Sequence, residues 1–252
     1  MNAFRSASDW ERFGELDPYW AVLTDEKFRA DKLTAGSRRE FFQSGETHLD
    51  SVIEMIRATV DSAFAPLRAV DVGCGVGRVL IPMARRWPEA VGVDVASSML
   101  REATRNLEHA GVKADLVLAD DGMTRLTGTF DFIHSYIVLQ HVPPERGERI
   151  CAALLQKLRP GGIAALHVTY RTPLSHRQRI LRWGRSGTPL VGAVANLVKR
   201  RPVSAPYMEL YEYDLAAIFE LFRASGCTKV HSRFTDHGGL LGALVVGRKE
   251  SS

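Results

Sequence analysis

The sequence predicts a doubly wound α/β domain, a mostly parallel seven-stranded sheet with helices on both faces. Three observations predict it. Short apolar runs alternate with helical stretches from Leu67 to Tyr170, a glycine-rich turn follows the first of those runs, and two closing apolar runs are joined by only a short loop. Short strand-to-helix connections force successive strands to be parallel, with helices on either side. The 252 residues, 45% hydrophobic and 25% charged, are enough for one large core and exclude disordered and fibrous classes.

Taken in order, residues 1–45 scatter Trp10, Phe13, Tyr19, Trp20, Phe28, Phe41 and Phe42 among charges without a clean period. They read as an arm of short helices, either a lid or a dimerisation element of a homodimer. Residues 46–170 form the core. Thr47 is expected to cap an amphipathic helix bearing Leu49, Val52, Ile53 and Ile56. The series AVDVG, VGRVLIPMARR, AVGVDV, SSMLREATRNLEHAG, ADLVLADD and FDFIHSY then alternates strand with helix. A helix from about Pro144 to Leu158 and the turn RPGG lead into the fifth strand, IAALHVTY. Pro82 falls inside the helix after the glycine turn, where it is expected to cost the bond to the Arg78 carbonyl and kink the first turn.

Residues 171–210 break the alternation as a basic insertion, with a helix expected from Thr188 and Pro189. Residues 211–252 resume it. Asp214 is the expected cap of a helix carrying Leu215, Ile218, Phe219 and Phe222 on one face, and Gly226 stops it. The last strands, Lys229 to Phe234 and Leu240 to Val246, are joined by TDHGG as an antiparallel hairpin.

The formal charge of +4 is unevenly placed. From Arg171 to Met208 there are eight basic residues and no acid, so 25 of the 33 basic residues face all 29 acidic ones elsewhere. That segment is read either as a platform for something anionic or as a solvated or dimer-facing helix. The opening residues hold acids where a signal peptide needs an apolar stretch, and no run approaches the ~20 apolar residues of a bilayer span, so a cytoplasmic protein is expected. Cys74, Cys151 and Cys227 are widely spaced, without a CxxC pair, and read as reduced thiols rather than a disulfide framework or zinc site.

The most specific signal is AVDVGCGVGR. Gly73, Gly75 and Gly77 follow a buried strand and precede a helix, where a missing Cβ lets the backbone turn sharply and approach a ligand. Position 78 is Arg, so GxGxxG is not satisfied, and GKS or GKT is absent; phosphate cradling is disfavoured. Acids instead stand at three successive strand tips: Asp71, Asp94, and the pair Asp120 and Asp121. Asp94 is placed to accept two ribose hydroxyls and an acid of the third strand to accept an exocyclic amine, all in the crevice at the carboxyl ends of the strands.

At these residues the sequence resembles the class I S-adenosylmethionine-dependent methyltransferases, whose first motif is an acid followed by GxGxG. The resemblance covers residues 67–170 and the closing hairpin, and implies a seven-stranded sheet with its last strand antiparallel. It implies that Asp71, Gly73, Gly75 and Gly77 line the methionine moiety, Asp94 the ribose, Asp121 (or its neighbour Asp120) with Gly122 the adenine, and Met99 the adenine face, with Val95 also among the cofactor-binding residues. Ser135, ending the fourth strand, is expected near the cofactor.

Methyl transfer to a hydroxyl needs an aimed acceptor and a base. His141 is the first candidate and His237, on the hairpin, the second; His134 and His167 also end strands near the crevice, while His48, His109, His176 and His231 are given no role. An Asn-Pro-Pro-Tyr grip on an amino group, an acid pair for magnesium and a Pro-Cys nucleophile are all missing from their places, which favours a metal-free reaction on a small-molecule acceptor and weakens nucleic-acid modification. O-methylation of a sugar or secondary metabolite is the leading expectation. The alternatives are action on nucleic acid or an anionic lipid through residues 171–201, and a cofactor-binding partner subunit without turnover.

Overall fold

The computed structural model describes residues 3–172 and 208–251. Most of the basic insertion, including the helix expected from Thr188, lies outside the described residues. Seven strands form one sheet: β1 (Arg68–Val72), β2 (Glu89–Asp94), β3 (Asp115–Leu118), β4 (Phe130–Ser135), β5 (Leu158–Arg171), β6 (Cys227–His237) and β7 (Leu240–Lys249). Their order is β3-β2-β1-β4-β5-β7-β6, and β7 alone runs against the direction of the other six. The chain reverses direction across the sheet between β1 and β4, which leaves a crevice at their carboxyl ends.

Alternation along the strands sorts two cores. Val70, Val72, Ile133, Ala164, Leu166 and Val168 point to one face, under α6 (Pro144–Gln156) and α7 (Leu215–Ala224). Ala69, Phe132, Ile163 and Ala165 point to the other, under α3 (Ala35–Thr59), α4 (Leu80–Arg86) and α5 (Ser97–Ala110). Each large aliphatic or aromatic side chain so enclosed contributes ~1.5–3 kcal/mol. The same period of two puts three polar residues, Asp71, His134 and His167, on the α3 face of adjacent strands. Register then sets Asp71 directly beside His134.

Several local expectations need correction. The long helix begins at Thr34, not Thr47: Thr34 and Ser37 form a reciprocal capping box, whereas the Thr47 hydroxyl bonds back to the Gln43 carbonyl inside the helix. The arm is therefore two helices, α1 (Ala3–Leu16) and α2 (Pro18–Val22), followed by a 25-residue helix that crosses the expected boundary at residue 45. Pro82 does not kink its helix, because α4 starts at Leu80 and the proline sits in the first turn, where an N–H has no intrahelical partner anyway. The Arg78 carbonyl it leaves unbonded lies against Gly45 of α3, where an added Cβ would stand 2.0 Å from that oxygen. RPGG is a wide bulge within β5 rather than a turn before it: Phe130 pairs with Leu158 and Phe132 with Ile163. Phe219 faces out at 37% exposure while Ile218 and Phe222 fill the core. The closing hairpin tightens to two residues, Gly238 and Gly239, both at positive φ.

The three cysteines are buried and unpaired. No helix among the described residues is long and apolar enough to cross a membrane.

Candidate active site

The glycine turn is built by backbone bonds to the next strand. The N–H groups of Gly73 and Cys74 both reach the Val93 carbonyl, at 2.7 and 3.0 Å, and Gly77 N–H closes on the Cys74 carbonyl. Gly73, Gly75 and Gly77 all have positive φ, the conformation that excludes most side chains. At Gly73 a Cβ would also strike Val138, 2.3 Å away, so the loop after β4 packs directly on the turn.

Asp94, at the tip of β2, organises the other side. Its Oδ2 accepts from Gly75 N–H and its Oδ1 from Ala96 N–H, both at 2.9 Å, so each oxygen keeps a further lone pair. Burial pushes its carboxyl up to about 6, against the backbone bonds that favour the charged form. A desolvated carboxylate with unfilled acceptor capacity is suited to a ligand bearing adjacent hydroxyls.

These residues open on a cavity of about 1180 Å³ including its mouth. Asp71, Gly73, Gly75, Asp94, Val95 and Met99 wall one end. Tyr136, Ile137, His141 and Arg146 come from the β4–α6 side, and Trp10 of α1 covers the cavity. Among the described residues, both non-glycine residues at positive φ, Met123 and the β-branched Ile137, belong to this wall. Backbone held in that region costs ~1–3 kcal/mol and concentrates at sites that must present side chains in a fixed way.

The methyltransferase domain family matches residues 69–162, from β1 to the bulge of β5. Over these strands the chain is similar to a methyltransferase domain. A ubiquinone biosynthesis O-methyltransferase of Ruegeria sp. (strain TM1040) is 32% identical over 135 residues, covering 51% of this chain and 54% of that protein. A trans-aconitate 2-methyltransferase of Deinococcus radiodurans is 34% identical over 40% of this chain and 37% of its own length. The chain spans about half the length of the first curated relatives it matches. Among solved structures, magnesium protoporphyrin IX methyltransferase from Synechocystis PCC 6803 with bound S-adenosylhomocysteine superposes with a TM-score of 0.65, at 16% identity, over 99% of this chain and all of that one. That likeness concerns the fold.

Other expected site residues lie elsewhere than foreseen. Asp120 and Asp121 are not in the cavity wall. Asp120 accepts from Thr124 N–H and hydroxyl, fastening the turn that carries Met123 into the wall. Asp121 is exposed and paired with Arg146, 25 residues on, and Gly122 is exposed in the same turn. Ser135 is fully buried, its hydroxyl donated to the Val72 carbonyl at 3.0 Å, so it ties β4 to β1 behind the cavity. Gly77 closes the turn without reaching the wall.

His141 does line the cavity, with the edge of Trp10 packed on it at 5.1 Å between centroids. Both its ring nitrogens are engaged: Nδ1–H donates to the Glu209 carbonyl at 2.8 Å, and Nε2 lies 3.1 Å from the Gln140 amide. This geometry suits a tie between the β4–α6 loop and the chain returning at 209 better than a base with a lone pair to offer. His237 lies behind the wall, its Nε2 3.0 Å from the Tyr136 hydroxyl, and partial burial lowers its pKa.

Sequence reasoning passed over the polar chain under α3. Asp71 Oδ1 holds Nδ1 of the fully buried His134 at 2.8 Å, and His134 Nε2 meets His48 Nε2 at 3.0 Å. His48 in turn stacks on Tyr136, centroids 3.7 Å apart. Burial, chiefly, keeps His48 far below the ordinary histidine range and takes His167 down to about 3, so both are neutral at physiological pH. The signal available was the alternation of β1 and β4, which puts Asp71 and His134 on one face; the helix that brings His48 was assigned no polar role.

Proposed function

We propose that the chain transfers a methyl group from S-adenosylmethionine to an oxygen of a small molecule, a sugar or secondary metabolite in the broadest terms. The observation that carries this reading is Asp94: a desolvated strand-tip carboxylate whose two oxygens each hold one backbone N–H and have room for one ribose hydroxyl. Gly73 and Gly75 leave space for the methionine moiety beside Asp71, Val95 lies beside the ribose, and Met99 and Met123 enclose the adenine. The exocyclic amine would find Asp121 only if that carboxylate left Arg146. When bound, S-adenosylmethionine supplies an electrophilic methyl on a sulfonium.

What the protein contributes is position and exclusion of water. Trp10 and Ala7 of α1 roof the cavity, and the strained Ile137 fixes Tyr136 and Val138 on either side of the turn that faces Gly73. The Asp71–His134–His48 chain holds the floor of this region by hydrogen bonds at fixed geometry, and so orients what packs on it.

The test is incubation with methyl-labelled S-adenosylmethionine and an extract of the source cells, separated afterwards into small molecules, lipid, nucleic acid and protein. Label in the small-molecule fraction supports the reading. Label confined to nucleic acid or lipid would overturn it in favour of the basic residues 171–201 as a phosphate platform, with transfer then falling steeply as salt rises.

A further inference from the structure

The cavity wall carries a charge that the cofactor reading leaves unused. Arg78, the residue after the glycine turn, lines the cavity yet is only 7% exposed. Among the described residues its guanidinium makes one long hydrogen bond, Nη1 to Ser44 Oγ at 3.4 Å, its buried Nε has no partner, and no carboxylate pairs with it. Taking a guanidinium out of water costs several kcal/mol, and proteins ordinarily offset this with a carboxylate and a full set of acceptors. Here the side chain has five donors and almost nothing to give them to.

Asp71 is the acid whose field reaches Arg78, and it does so without pairing with the guanidinium. Arg233 of β6 also lacks a carboxylate among the described residues, donating to Ser51 Oγ at 2.9 Å. The fields of both arginines fall on Tyr136 and His48, and that of Arg78 reaches His237 as well. Of the nearby acids, Asp71 spends its hydrogen bond on His134 and acts on Arg78 only through space, and Asp236 accepts Gly239 N–H in the hairpin turn. The histidines of this cluster are held neutral or hydrogen-bonded, so they neither balance the charge nor offer a free lone pair toward the cavity. The end of the cavity at Arg78 and Tyr136 therefore carries a guanidinium that Asp71 faces without pairing to it.

We propose that this end, walled by Arg78 and Tyr136, is the acceptor subsite and that it takes a small molecule bearing a carboxylate, held by the Arg78 guanidinium. The inference rests on the cofactor reading above and specifies the acceptor for it. A planar guanidinium matches a carboxylate bidentately, and a single arginine in a largely apolar wall offsets one negative charge, not the two of a phosphate monoester. An acceptor that arrives ionised also removes the need for a base. One carboxylate oxygen forms the new O–C bond with its own electron pair as the S–C bond breaks onto sulphur, so anion and sulfonium become neutral ester and thioether and no proton moves. This accords with the engaged ring nitrogens of His134 and His141.

The experiment divides the small-molecule extract on an anion exchanger and offers the retained and unretained pools to the full-length protein with labelled S-adenosylmethionine. S-adenosylhomocysteine affinity is measured by calorimetry alongside. Label is expected in the retained pool, in a product with one negative charge fewer that releases methanol in alkali. Arg78→Met is expected to keep S-adenosylhomocysteine affinity within about threefold while losing at least a hundredfold in transfer, with Arg78→Lys recovering part of it. An acceptor in the unretained pool, no transfer from either pool by protein that binds S-adenosylhomocysteine, or wild-type transfer by Arg78→Met would each overturn the proposal. A large loss of S-adenosylhomocysteine affinity in Arg78→Met would also overturn it, giving Arg78 to the cofactor's own carboxylate. Failure of the wild type to bind S-adenosylhomocysteine at all would instead sink the cofactor reading.

Discussion

Acidification tests the role given to Asp94 more sharply than truncation does. In the unliganded protein burial holds its carboxyl at about 6 instead of the usual value near 4. Because the folded value is raised, the neutral acid is the form the fold prefers: that contribution is complete below about pH 4 and lost as pH rises through 6. Binding a ribose diol runs the opposite way, since two hydroxyls donate best to a carboxylate. At pH 8 nearly every molecule is ionised; at pH 5 roughly one in ten is, so affinity for S-adenosylhomocysteine should fall about tenfold between them, ~1.4 kcal/mol. Isothermal titration calorimetry from pH 8 to 5 in buffers of different ionisation enthalpy measures both the affinity and the proton taken up on binding. Asp94→Asn should bind about 10- to 100-fold more weakly at pH 8, in line with loss of charge-assisted bonds, and lose the limb centred near pH 6. Persistence of that limb in Asp94→Asn, or wild-type affinity at pH 8, would refute the assignment of the diol to this carboxylate.

Two further outcomes are expected. Gly45→Ala should lower stability by about 1–3 kcal/mol, several degrees in thermal denaturation, because the new Cβ meets the Arg78 backbone carbonyl and not a side chain able to move; an unchanged melting temperature would contradict the packing described. His141→Ala should lower the melting temperature by breaking the ties to Glu209 and Gln140, while the shape of the kcat–pH profile stays as in the wild type. Disappearance of a limb from that profile would restore His141 as a base.

How much was legible beforehand follows from the range of the interactions involved. The strand and helix alternation from β1 to β5, the glycine turn and the tip position of Asp94 are set by neighbours within a few residues, and all three are visible in the string of letters. The fate of Asp121 depends on Arg146 on another element, and that of His141 on a carbonyl 68 residues away, so no local pattern announces either. The start of α3 was misplaced for a different reason: its capping box uses Ser37 where Glu or Gln is the familiar partner, so the cap at Thr34 went unread and Thr47 was taken instead. Arg78 was seen only as a departure from a dinucleotide fingerprint, because the meaning of a charged residue after a glycine turn depends on what faces it.

The docking of α1 has a consequence for traffic through the cavity. Glu11 supplies the acceptors that the first turn of α5 lacks: its carboxylate takes Ser98 N–H and the Ser97 hydroxyl, and its carbonyl takes the Ser98 hydroxyl at 2.7 Å, while Gly14 leaves no Cβ to collide with that serine. That turn begins three residues after Asp94, on the same stretch of chain that bonds its Oδ1. Swinging α1 aside to admit or release a ligand would leave the start of α5 uncapped beside the ribose carboxylate, so opening the roof and loosening the grip on the nucleoside are one event. Entry and exit past Trp10 are thereby linked to how firmly Asp94 is held, and a substitution at Glu11, well outside the cavity wall, would register as faster product departure.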